Sequence, residues 1–403
     1  MTTSLCKSAI SLFAGAALLF AGCAAPRPLE TLVPLQWAGA QRQEGSTGFS
    51  WAGESGKGQW AGLRVAVFPV YSMTPVPAPL EALERLIVDA LTKRGVQVLE
   101  RSQLEQFMKD QRIRYTGGID RTVAAAIKKD LGVEAVFITS LVHFDEADPP
   151  KISLMARLVY LGRDLEIMWM DGYCRSGNDS PGILDLGIIS EPEALMKDSV
   201  DKLASSMMLH LADKTGERED RVPGKSSRPE DLFRSPDLEA EADPTIAVLP
   251  FLNLSERDYA WEIVPLHFVK RLADTPGIRV IEPGEVRRSL LNYRIFLQGG
   301  LSRPNLELFL KSTETDLAVS GTVMRYLDVS GVLKDAEVEF SVEIFDRASE
   351  EVVLSSRSAA KGSDDVFFFD QGKKSTACSL ADALVYSAIS GMFDQPDAQQ
   401  TPP

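Results

Sequence analysis

The chain has 403 residues, of which 25% are charged, 44% hydrophobic and 8% aromatic, which excludes a disordered polymer, a collagen-like repeat and a polytopic membrane protein. Acidic residues outnumber basic ones 57 to 43, for a net charge of −14, so nucleic acid is a poor partner and anionic headgroups would repel the folded body. The three His and four Cys include no two at zinc-ligand spacing, which argues against a zinc site and a disulfide scaffold.

Lys7 is the only charge before residue 26, and an apolar run follows from Ala9 to Ala21. As a helix that run reaches only about 20 Å, short of a ~30 Å bilayer core. A charged start, a short apolar middle and small residues at the end make a secretory signal. Phe20-Ala21-Gly22-Cys23 resembles the bacterial lipobox, with Phe where Leu is usual. The resemblance implies removal of residues 1–22 and lipid on Cys23. Ala24 in place of Asp implies sorting to the outer membrane, with the body in the periplasm. A plain secretory signal with an incidental Cys23 is the competing reading.

Residues 23–60 are rich in Pro, Gly, Ser, Gln and Ala and predict a flexible tether. It holds Trp37, Trp51 and Trp60. These either pack on the following domain, wrap a neighbouring subunit or rest at a membrane interface.

The body then repeats. Arg64–Val70 corresponds to Thr245–Phe251, and Val96–Phe144 aligns without a gap on Ile278–Tyr326. Each copy predicts strand, helix, strand, short helix, a Gly-Gly turn, a second helix, three strands and a closing helix. The expected fold is therefore α/β, a mixed sheet with helices packed on it, in two tandem copies at 61–213 and 244–393. Asp120 and Ser302 stand at matching helix starts as N-caps. In the second copy Val338, Phe340, Val342 and Ile344 alternate with Glu337, Glu339, Ser341 and Glu343, a strand with one buried and one wet face. Residues 214–243 predict a charged, solvated linker, and 394–403 a disordered tail.

The strand run Ile246–Ser255, the Val280-Ile281-Glu282 segment, Leu317–Val323 and the return at Glu351–Leu354 together resemble three families. These are the curli-secretion lipoproteins, the LpoB-like activators of penicillin-binding proteins and the N-terminal domain of TolB. The resemblance implies a fold and partner binding; it implies no active site. The two hairpins are needed for the core sheets, which leaves little chain for the membrane-inserted strands of a curli-type pore.

No nucleophile elbow, Walker loop, zinc-protease motif or dinucleotide loop is present. No enzymatic activity and no cofactor or metal are expected. The nearest thing to a site is the repeated Arg-Ile-x3-Gly-Gly-x2-Arg, with Gly117, Gly118 and Arg121 in one copy and Gly299, Gly300 and Arg303 in the other. It reads either as a docking or ligand groove or as a helix–helix turn with Arg in a surface ion pair. Cys174 and Cys378 fall on different elements, a strand and the last helix, and are expected to be free, largely buried thiols.

The functional expectation is a non-enzymatic outer-membrane lipoprotein that acts as a periplasmic adaptor or assembly factor through an unidentified envelope protein. The rivals are a subunit of an oligomeric secretion channel and an activator of a peptidoglycan synthase. A homo-oligomer is compatible with the first two. Cys23→Ser should yield an unprocessed or soluble species on membrane fractionation; an unchanged membrane fraction refutes the lipid anchor.

Overall fold

In both copies the leading strand is short and apolar, and the chain leaves it at a proline that cannot donate to a ladder. A computed structural model describes residues 63–179, 187–212, 227–235, 243–295, 301–331, 335–366 and 372–393. Cys23, the tether with its three tryptophans, the Gly299-Gly300 pair and the tail lie outside the described residues.

The first copy runs β1 (Arg64–Val67), β2 (Tyr71–Ser72), α1 (Leu80–Lys93), β3 (Gln97–Val98), α2 (Arg101–Asp110), α3 (Arg121–Leu131), β4 (Ala135–Asp145), β5 (Lys151–Tyr160), β6 (Glu166–Ser176) and α4 (Pro192–Leu211). Its sheet has the order β3-β1-β4-β5-β6, with β2 beside β4. β3, β1 and β4 are parallel, and β4, β5 and β6 form an antiparallel meander.

β7 (Asp231–Arg234) precedes the second copy, which runs β8 (Thr245–Val248), β9 (Leu252–Asn253), α5 (Ala260–Ala273), β10 (Arg279–Val280), α6 (Pro283–Asn292), α7 (Arg303–Thr313), β11 (Leu317–Leu327), β12 (Glu337–Asp346), β13 (Val352–Lys361) and α8 (Ala377–Phe393). The order β10-β8-β11-β12-β13 repeats that of the first sheet, and β9 repeats β2. Even the register shift recurs, between Leu141 and His143 in β4 and between Val323 and Arg325 in β11. The fold is thus mixed α/β, with two mixed sheets and helices packed on both.

The charge-rich stretch expected to be a solvated linker is in part a strand. Leu232 and Phe233 pair antiparallel with Ser356 and Ser355, so β7 becomes an edge of the second sheet. Four residues with two apolar side chains fall below the length at which alternation is readable amid charges.

The repeated Arg-Ile has a backbone cause. Arg112 and Arg294 take left-handed φ values of 55° and 52° at the ends of α2 and α6. Ile113 N–H then reaches the Met108 carbonyl and Arg112 N–H that of Lys109; Ile295 and Arg294 do the same to Leu290 and Leu291. This is a Schellman closure in both copies, and it satisfies the last helical carbonyls. Asp120 caps α3 by accepting from the Thr122 and Val123 amides. Ser302 occupies the same position before α7 but makes no side-chain cap bond.

In the first copy α1 and α4 cover one face of the sheet, through Leu83, Ile87, Val200 and Leu203. On the other face α2 and α3 cover only the β1 end. The β5 residues beyond them are nonetheless buried on both faces, unlike those of β12, where Glu343 is exposed. The second copy supplies the missing cover: Met73, Val142, Met155 and Met170 share one core with Ile263, Val264 and Phe268 of α5 and with Leu380 and Leu384 of α8. Both sheets belong to one compact unit.

Candidate functional site

β5 alternates in the usual way, so Ser153, Met155 and Arg157 point away from α1 and α4 toward the second copy. Arg157 is 2% exposed. Its Nε and Nη2 lie 3.0 and 2.6 Å from Oε1 of Glu282, which stands immediately before α6 and is 1% exposed. Nη2 also donates to the Gly117 carbonyl at 2.7 Å. The second oxygen of Glu282 accepts the Gly284 amide, capping α6, and the Ile119 amide at 3.3 Å. One carboxylate therefore caps its own helix, holds the arginine of the other copy and receives the turn that follows Gly118. Burial pushes its carboxyl above the ordinary range, and Arg157 pulls in the opposite direction.

The Gly-Gly turn is small because backbone meets backbone here. A Cβ on Gly284 would lie 2.2 Å from the Ile119 nitrogen, and one on Gly118 would lie 2.7 Å from the Gly284 nitrogen. The Arg121 amide, at the start of α3, donates to Glu285 of α6 at 2.9 Å. Its guanidinium, more than half exposed, lies 3.7 Å from Asp164 and 4.0 Å from Glu285. Gly117, Gly118 and Arg121 are thus brought together on the neighbouring copy. Arg303 is not part of this cluster: it pairs with Glu307 and with the Glu350 carbonyl on the surface.

Further cations cross the junction, Arg257 and Lys151 among them. Arg257 donates to the Met73 and Val142 carbonyls at 2.9 and 2.6 Å and pairs with Asp328 at 3.2 Å. Lys151 Nζ donates to the Val329 and Gly331 carbonyls at 2.6 and 2.8 Å. Burial lowers the Lys151 pKa, against the pull of Asp145 and Asp328. Tyr71 and Tyr115 both donate to Glu262 of α5, at 3.2 and 2.6 Å, and Arg287 lies 4.3 Å over the Tyr115 ring. Burial raises the Glu262 pKa, with both tyrosine hydrogen bonds opposing it.

Farther along α5, Lys270 pairs with Asp382 of α8 at 2.6 Å and lies 3.8 Å from Asp171 of β6. His267 shares Asp382 at 3.3 Å, and burial lowers its pKa. Beside them Cys174 and Cys378 form a disulfide between β6 and α8. The expected free thiols are corrected by the packing that brings α8 of one copy onto β6 of the other.

Sequence reasoning missed Arg157, Lys151, Arg257 and Glu282. The available signal was a difference between the copies: at the same register β5 carries Met155 and Arg157 where β12 carries Ser341 and Glu343. A cavity of about 240 Å³ also opens between α1, α4 and the first sheet, lined by Leu91, Val96, Phe137, Met207 and Leu211. Among the described residues no His, Cys, Asp and Glu group could hold a metal. No described helix is long and apolar enough to cross a membrane.

No family model matches the chain, and no curated protein does. Among solved structures it is similar to the PelC dodecamer from Paraburkholderia phytofirmans, at 17% identity and a TM-score of 0.28, over 40% of this chain and 95% of that one. Lipoprotein GNA1162 from Neisseria meningitidis matches at 17% identity and 0.26, over 36% and 99%. The LpoB C-terminal domain from Escherichia coli matches at 10% and 0.22, over 30% and 86%. LpoB is among the resemblances the strand pattern implied; at these scores none assigns the chain a family.

Arg157→Met should lower stability to chemical denaturation by about 3–5 kcal/mol, because it strands a buried carboxylate. Adding Glu282→Gln should recover part of that loss. Strictly additive losses would show that the two side chains do not act as a pair.

Proposed function

We propose that this chain is a non-enzymatic lipoprotein of the cell envelope, anchored to the outer membrane through lipid on Cys23, whose two-copy body is a periplasmic adaptor or assembly factor. The observation that carries the reading is the Cys174–Cys378 disulfide. Disulfides persist in oxidising compartments and are rare in the cytosol, so the bond agrees with the signal and lipobox at the N-terminus.

The junction supports the adaptor part. Its buried charges are engaged with one another and with backbone carbonyls, which makes them a fastening between copies. A rigid pair of sheets presents edges at a fixed separation. β7 ends the second sheet among the described residues, with Leu232 and Phe233 about half exposed. Such an edge can accept an extended partner segment by main-chain pairing.

In-cell crosslinking followed by affinity capture tests the reading. The wild-type chain should bring down components of one envelope machine, a peptidoglycan synthase included, and Cys23→Ser should lose them. Capture of cytoplasmic proteins alone would overturn the proposal.

A further inference from the structure

The contact between the copies is head-to-tail. The first copy offers a socket, made of the α2–α3 turn and the β4-β5-β6 face. The second offers a plug, made of α5, α8 and the N-terminus of α6. Such a contact joins unlike surfaces, so nothing in its symmetry stops it from continuing into a ring or filament. Repeat arrays stop where a terminal copy turns a polar face outward.

Because the registers coincide, each position of the used contact has a counterpart at the two free ends. In the second copy's socket Glu343 occupies the place of Arg157, Ser341 that of Met155 and Ser355 that of Met170. Glu337, the counterpart of Lys151, pairs with Arg325 and Lys361. Arg357 pairs with Glu339 across the same face. Leu254, the counterpart of buried Met73, is 65% exposed, and Leu327, opposite Glu337, is 42% exposed; both are apolar side chains left in this setting.

The first copy's plug is altered as well. Glu100 keeps the place of Glu282, but Ser102 stands at Gly284 and Gln103 at Glu285. A Cβ at the Gly284 position meets backbone at 2.2 Å in the contact that forms. α1, the counterpart of the almost fully buried α5, turns outward the pair Glu81 and Arg85, with side chains 80% and 69% exposed.

We infer that the plug-and-socket contact is used once, inside the chain, and that both free ends are closed to a second copy. A following copy would bring Glu100 against Glu343, carboxylate to carboxylate, with no arginine between them. Like charges brought together in a contact oppose it, and here the surrounding faces are polar. The body is a self-contained pair, which separates it from a subunit that builds a ring through this surface. The inference stands on the two copies alone and does not depend on the membrane address.

The test uses the full chain with Cys6→Ser and Cys23→Ser, into which Ser102→Cys and Ser355→Cys are introduced; Ser355 is the cross-strand neighbour of Glu343, so Glu100 and Glu343 both stay in place. A short bis-maleimide is the probe; Cys174 and Cys378 are tied to each other and do not take it up. The expected result is no chain-to-chain product, with the parent sedimenting as one copy at high micromolar concentration. A ladder of chains bridged through the 102–355 pair would overturn the inference.

Discussion

The structure depends on one buried ion pair whose members come from different copies. Arg157 lies in the middle of a meander strand and Glu282 at the foot of a helix 125 residues later. Taking both charges out of water costs several kcal/mol for each ion, and their attraction repays this only when the remaining hydrogen-bond positions are filled. They are filled here by the Gly117 carbonyl and by the Ile119 and Gly284 amides. The geometry tolerates little displacement, since each group that satisfies the pair belongs to backbone from one copy or the other. The glycines at 118 and 284 follow from the same demand, because the backbones must approach closely for the carboxylate to reach both amides.

The neighbouring contacts extend this logic along the junction. Arg257 and Lys151 reach backbone carbonyls of the opposite copy, which specifies position more tightly than a salt bridge between two mobile side chains would. The methionines of the first sheet fill the apolar space between these polar contacts, against α5 and α8. The disulfide joins elements that are already packed against each other, and it closes a sequence separation of 204 residues. A body fastened this way moves as one piece and keeps its exposed edges at a fixed spacing.

The repeat was legible because it is written in patterns a single sequence can carry. These include the Pro-ended strands, the ungapped alignment of the central segments and the alternation of Val338, Phe340, Val342 and Ile344. Gly117-Gly118 is legible as a turn but not as a contact, because the backbone that approaches Gly118 belongs to the other copy. Arg157 was hard to see for the same reason: one arginine in an apolar strand looks like a solvent-facing residue until the opposite face is known to be covered. β7 escaped notice because its two apolar residues sit among charges and obtain their ladder from β13. Free thiols are expected because Cys174 and Cys378 lie on different elements of different copies and can join only when the copies meet, as they do where α8 is laid on β6. What sequence pattern showed was local; what it hid was the meeting of the two copies.

Native-state hydrogen exchange at the junction tests the account most directly. The Ile119 and Arg121 amides, which donate to Glu282 and Glu285 of the other copy, should exchange as slowly as the central strands β4 and β11. Exchange of those two amides at the rate of an open loop, while both sheets stay protected, would show two independent copies on a flexible connection and would contradict the account.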